Sequence, residues 1–89
     1  MFFIHLIKLK HKLTKEDIEA LDNLSNESKL GVKVLSTYYT LGRYDVVVFT
    51  EAPDEKAALT ASFDVSDMNS TETLVAIPRE EALKAVGLR

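Results

Sequence analysis

Apolar positions run almost unbroken from residue 2 to residue 9, FFIHLIKL, and stop at Lys10-His11-Lys12. A run of this length, rich in β-favouring side chains, predicts a strand covered on both faces. Thr14 then offers a side-chain oxygen as a helix cap, and Lys15-Glu16-Asp17 places acids in the first turn, where the helix dipole favours them. Ile18, Leu21, Leu24 and Ser28 recur at helical spacing while Asp22, Asn26 and Lys29 fall elsewhere. The spacing predicts a helix that stops at Gly31, acting as its C′ residue.

Residues 32–41 and 44–51 alternate with β-branched and aromatic side chains and read as two strands. Only Gly42 and Arg43 separate them. A two-residue loop with glycine first predicts a type II′ hairpin, because glycine takes the positive φ there at no steric cost. That turn pairs Leu41 with Tyr44, Thr40 with Asp45, Tyr39 with Val46 and Tyr38 with Val47. Pro53 then presets φ for the first turn of a second helix, carrying Ala57, Ala58, Leu59, Ala61, Ser62 and Phe63, which ends over residues 64–68. Residues 69–78 alternate again as a fourth strand, and residues 79–86, closed by Gly87, form a short third helix. The order is βαββαβ with a C-terminal helix. With right-handed crossovers the two strand-helix-strand units interleave into a four-stranded antiparallel sheet with both main helices on one face, an α+β ferredoxin-like fold.

The hairpin pairing divides the side chains between two faces. One face carries Leu35, Tyr39, Leu41, Tyr44, Val46 and Val48, joined by Ile4, Leu6, Leu74 and Ala76. It is the more uniformly apolar, so it is assigned to the helices. The open face then receives Val34, Ser36, Tyr38, Thr40, Asp45, Val47, Phe49 and Glu51, with Phe3, His5, Ile7 and Thr73. Phe3, Ile7, Val34, Val47, Phe49, Val75 and Ile77 make that open face too apolar to meet water, which marks an interface. Two copies packed sheet on sheet about a two-fold axis, as a homodimer with a barrel-like core, is the economical solution, with a higher oligomer, or a third helix or small ligand over part of the face, as the alternatives.

Composition narrows the function classes. The 89 residues, 46% of them hydrophobic, make one domain spanning residues 1–89 with a single core. A chain of this size buries only about 60–65% of its unfolded surface, which favours self-association. A net charge of −3, with no basic cluster beyond Lys8-Leu9-Lys10-His11-Lys12, argues against a nucleic-acid partner. The absence of cysteine removes disulfides, thiol nucleophiles and thiolate metal sites. MFFIHLI has no basic region before it and no cleavage pattern after it, so it reads as a strand rather than a signal. With no apolar run near the ~18 residues that cross a bilayer, no membrane partner is expected and the cytoplasm is the default location.

The candidate chemistry rests on His5, Tyr38 and Asp45, which the face assignment brings together. An imidazole, a phenol and a carboxylate in a poorly hydrated cavity supply acid-base groups or ligand contacts. Each also has a plainer reading. His5 donates a structural hydrogen bond within its strand, and Tyr38 is an interface aromatic. Asp45 shapes the fold by accepting from backbone amides near the turn, from Arg43, or from Lys8 or Lys10. No metal-ligand spacing, Gly-rich phosphate loop or nucleophile elbow occurs, so neither a metal nor a cofactor is expected.

The stretch YYTLGRYDVVVFTEAPDEKAA, together with TETLVAIP, resembles the GYD domain family, whose Gly, Tyr and Asp are Gly42, Tyr44 and Asp45 here. IHLIKL looks like that family's first strand, with Lys8 at its usual lysine. The resemblance implies a ferredoxin-like fold of the dimeric α/β barrel kind, and it brings no catalytic residue with it. Two departures accompany it: residues 64–69 lack a glycine-rich segment, and His5 stands where a small polar residue is expected. The leading expectation is a self-associating domain that binds a small organic molecule between open sheet faces. A cofactor-free enzyme, similar to the isomerases and monooxygenases of dimeric α/β barrels, is the rival reading, and a purely structural oligomerisation module is the third.

Overall fold

Seven elements follow one another in the computed structural model, which describes residues 1–26, 31–64 and 69–89. They are β1 (Phe2–Leu9), α1 (Lys15–Asn26), β2 (Lys33–Tyr39), β3 (Val46–Glu51), α2 (Glu55–Asp64), β4 (Asn69–Ala76) and α3 (Arg79–Ala85). The expected end of the first helix before Gly31, with Ser28 and Lys29, and the end of the second helix beyond Asp64 lie outside the described residues. The strands form one sheet in the order β2-β3-β1-β4, and every neighbouring pair is antiparallel. This is the ferredoxin-like α+β arrangement that the element order predicts. β1 sits inside the sheet because both of its faces are apolar, and β2 and β4 take the edges.

Helix starts follow local chemistry. The Asp17 N–H donates to Thr14 Oγ1 (3.2 Å) and the Thr14 N–H donates back to Asp17 Oδ2 (2.9 Å), a reciprocal cap at the start of α1. Asp54 caps α2 through the Ala57 N–H (2.9 Å), so Pro53 stands before the cap rather than in the first turn. Gly31 has φ 74°, and a Cβ there would meet Pro53 Cγ at 3.0 Å.

The assignment of faces is corrected by the register. In the β1–β3 pair His5 stands opposite Val48, Ile7 opposite Val46 and Phe3 opposite Thr50. Opposed residues share a face, so Phe3, His5 and Ile7 lie with Val46 and Val48 on the helix side. Phe3 packs with Val32, Ala52 and the α2 residues Ala57 and Ala58, while Ile7, Val46 and Val48 form a second buried cluster. Thr73 and Val75, opposite His5 and Phe3, share this side, as does Val34, opposite Thr50. The helix-free face instead carries Phe2, Ile4, Leu6, Val47 and Phe49, together with Leu74 and Ala76. The physical reason is that Phe2, Ile4 and Leu6 and Phe3 and Ile7 are equally apolar. Alternation within β1 cannot choose between them, and a one-residue register change exchanges the two sets. Leu35 falls at an irregularity between Val34 and Ser36, and it reaches the helix-free side instead of the expected helix side.

Candidate functional site

The hairpin tip is built from the register outward. Tyr39 pairs with Val46 and Tyr38 with Val47, as the turn chemistry predicts. The ladder ends there, and residues 40–45 form a wider connection than the two-residue turn expected. Within it the Thr40 N–H donates to the Asp45 carbonyl (2.8 Å) and the Thr40 hydroxyl to the Tyr44 carbonyl (2.7 Å). Gly42 has φ 103°, the positive value that makes glycine necessary.

Around this tip, Arg43, Tyr44 and Asp45 tie the hairpin to the other two strands. The Asp45 N–H donates to the Ile7 carbonyl (2.8 Å), and Asp45 Oδ2 accepts from the Leu9 N–H (2.8 Å). β3 begins opposite Ile7, two residues short of Leu9, so the carboxylate takes the place of a missing strand acceptor. Of the donors considered for Asp45, a backbone amide is the one engaged. Lys8 Nζ donates to the Arg43 carbonyl (3.3 Å), and the Arg43 guanidinium lies 5.7 Å from the centre of the Tyr44 ring. The Tyr44 hydroxyl donates to Glu72 Oε2 (2.6 Å). Glu72 stands opposite Leu6, so the Tyr44 hydroxyl reaches the helix-free face rather than the helix-side core expected of it. The hydrogen bond to Glu72, with lesser effects of burial and the Glu72 charge, raises the Tyr44 phenol above its ordinary value of 10.0.

His5 is held elsewhere. Its Nε2 is 2.8 Å from Thr50 Oγ1 and its Nδ1 is 3.0 Å from Thr73 Oγ1, so the ring bridges β3 and β4 across β1. A neutral imidazole donates from one nitrogen and accepts at the other, and the hydroxyls suit either tautomer. Burial lowers its pKa from 6.5, because the protonated ring loses solvation. Tyr38, by contrast, is 58% exposed on the other face, edge-on to Phe49 with ring centres 6.0 Å apart. The sheet therefore separates His5 from Tyr38, and the Asp45 carboxylate is engaged at the strand end. The three expected site residues do not converge.

What the helix-free face does hold is an apolar groove of about 230 Å³, lined chiefly by Phe2, Leu35, Phe49, Ala76, Ile77 and Pro78. None of His5, Tyr38 and Asp45 lines it, and Thr50 is the one polar residue that does. Phe49 and Ile77 were placed on this face from sequence. Phe2, Leu35 and Ala76 were not, and the signal for Leu35, an irregular strand, exists only in the pairing. The walls of the groove offer apolar contact and a single hydroxyl, that of Thr50. Among the described residues no group of His, Asp or Glu is arranged to hold a metal ion, and no helix is long and apolar enough to cross a membrane.

Strand order, antiparallel pairing and helices on one face define a ferredoxin-like domain, with the clasped hairpin and the apolar helix-free face as its particular features. The GYD domain family model matches residues 9–86, and the chain belongs to that family. Among solved structures it is similar to E. coli AsnC, with 23% identity and a TM-score of 0.64 over 88% of this chain and 51% of that one. It is also similar to PH0061, with 22% identity and a TM-score of 0.56 over 89% of this chain and 53% of that one. At these identities the likeness is one of fold, and the chain spans about half the length of either. No curated protein matches it.

Proposed function

We propose that the protein is a self-associating, non-catalytic binding domain. Two copies pack helix-free faces together as a dimeric α/β barrel and enclose a small, uncharged organic molecule in the apolar groove. The observation that carries this reading is the helix-free face itself, where Phe2, Ile4, Leu6, Val47 and Phe49 stay only half-buried and Leu35, Leu74 and Ile77 are exposed. Apolar surface on this scale costs free energy in water and is relieved by association. A groove without charged lining favours uncharged ligands, since a buried unpaired charge is costly. The engagement of His5 by two threonines and of Asp45 by a backbone amide supports a binding role over an acid-base one.

Light scattering at micromolar concentration tests the association, with twice the 10.0 kDa chain mass expected. Ile4→Glu and Leu6→Glu, which put charge on the helix-free face, are expected to give folded monomers. A monomeric parent chain would overturn the proposal. Native mass spectrometry of the purified dimer, with extraction of any added mass, tests the ligand. Persistent failure of apolar probes such as N-phenyl-1-naphthylamine to bind would leave only an oligomerisation module.

A further inference from the structure

α3 is a helix without a core of its own. None of its residues is fully buried, Ala82 and Leu83 are only half-buried, and among the described residues it makes no extended contact with another strand or helix. Isolated helices shorter than about 12–15 residues are marginal in water, and α3 has seven. Its end is nonetheless well formed. The Gly87 N–H donates to the Lys84 carbonyl (3.1 Å) and the Leu88 N–H to the Leu83 carbonyl (2.9 Å), with Gly87 at φ 78°. This is a Schellman motif, which fixes the direction of Leu88. Val86 and Leu88, presented by that motif, are 68% and 73% exposed.

The helix stands beside the groove, because Ile77 and Pro78 both lead into α3 and line the cavity. A two-fold axis beside this shared root would set each α3 against the groove of the other copy, and such a reciprocal contact would close at two. Dimensions agree. The radius of gyration is 14.0 Å, against about 12 Å for a compact domain of this length. Four strands of up to eight residues project to about 500 Å² of sheet face, and an arm laid over the partner's groove adds to the surface that the two copies bury.

We propose that α3 with Val86 and Leu88 is an arm exchanged between two copies. Val86 and Leu88 roof the groove that Phe2, Leu35, Phe49 and Ala76 floor in the second copy, so each binding site is incomplete without its partner. This rests on the self-association proposed above, and the test separates the two. The chain contains no cysteine, so single cysteines report cleanly. An unlabelled Leu35→Cys chain and an isotopically labelled Leu88→Cys chain are mixed and mildly oxidised, and the disulfide-linked peptides are identified by mass. The expected product joins a labelled to an unlabelled peptide. In parallel, Val86→Asp with Leu88→Asp is expected to raise the dimer dissociation constant by about tenfold or more. The arm is overturned if the parent is dimeric but that double variant changes the constant by less than about threefold. It is equally overturned if Leu35→Cys and Leu88→Cys in one chain join only within that chain. A monomeric parent removes the self-association and the arm with it.

Discussion

Asp45→Ala is the sharpest probe of the hairpin clasp. The Asp45 carboxylate accepts the Leu9 N–H at 2.8 Å, at a level of the sheet that β3 does not reach. Alanine leaves that amide without its acceptor and keeps both backbone hydrogen bonds of residue 45, to Ile7 and from Thr40. Hydrogen bonds to charged groups contribute about 1.5–3 kcal/mol, and partial exposure here argues for about 2. With an unfolding entropy of about 2.1 cal/mol/K per residue, a chain of this size then melts about 10 °C lower. Asp45→Asn keeps an acceptor and loses the charge, for about half that cost. Circular-dichroism melts and urea titrations, all at one protein concentration, measure the differences, since association makes melting concentration-dependent. Hydrogen exchange at the Leu9 amide adds a local readout and is expected to accelerate in the alanine variant. An alanine variant within about 0.5 kcal/mol of the parent, with Leu9 exchange unchanged, refutes the reasoning.

His5 is buried as a neutral ring with a lowered pKa. The unfolded chain binds that proton more readily, so this residue's contribution is complete above about pH 6.5 and is lost as pH falls toward and through the lowered value. Urea stability falling between about pH 7.5 and 5.5 in the parent, and less steeply in His5→Gln, is the expected result; equal slopes would contradict it. Replacing His5 by leucine strands the buried Thr50 hydroxyl and costs about 1–3 kcal/mol by the same urea assay. The Tyr44 phenol titrates above its ordinary value because of Glu72, and Glu72→Ala is expected to bring the Tyr44 ring resonances back toward ordinary titration by NMR. Gly42→Ala meets open space and carries only the strain of a positive φ, about 1 kcal/mol. Gly31→Ala adds a 3.0 Å contact with Pro53 and should cost more in a thermal melt.

The element order, the Thr14 cap and the hairpin pairing were legible in the chain because each is a local matter, whereas the Asp54 cap that puts Pro53 ahead of α2 was not. β1 has the bounds its apolar run predicts, Thr14 caps α1 as its position suggests, and the Tyr39–Val46 pair follows from the position of Gly42. Family membership was legible too, in the residues from Tyr38 onward. The connection around Gly42 was less so, since the side chains of Thr40 and Asp45 reshape a turn that backbone preference alone would make tighter.

What the sequence by itself determined, then, is which segments become strands and helices and how neighbours in the chain pair. Only the tertiary structure decided which side of β1 meets the helices, because both sides carry large apolar residues and the choice is made by β3 and β4, distant in sequence. That choice moved His5 from a shared cavity with Tyr38 to a buried bridge between Thr50 and Thr73. It also put Phe2 and Ala76 at the groove, where the irregularity in β2 brings Leu35 to join them. Alternation has a period of two and gives no origin; packing against α2 through Phe3, Ala57 and Ala58 supplies it.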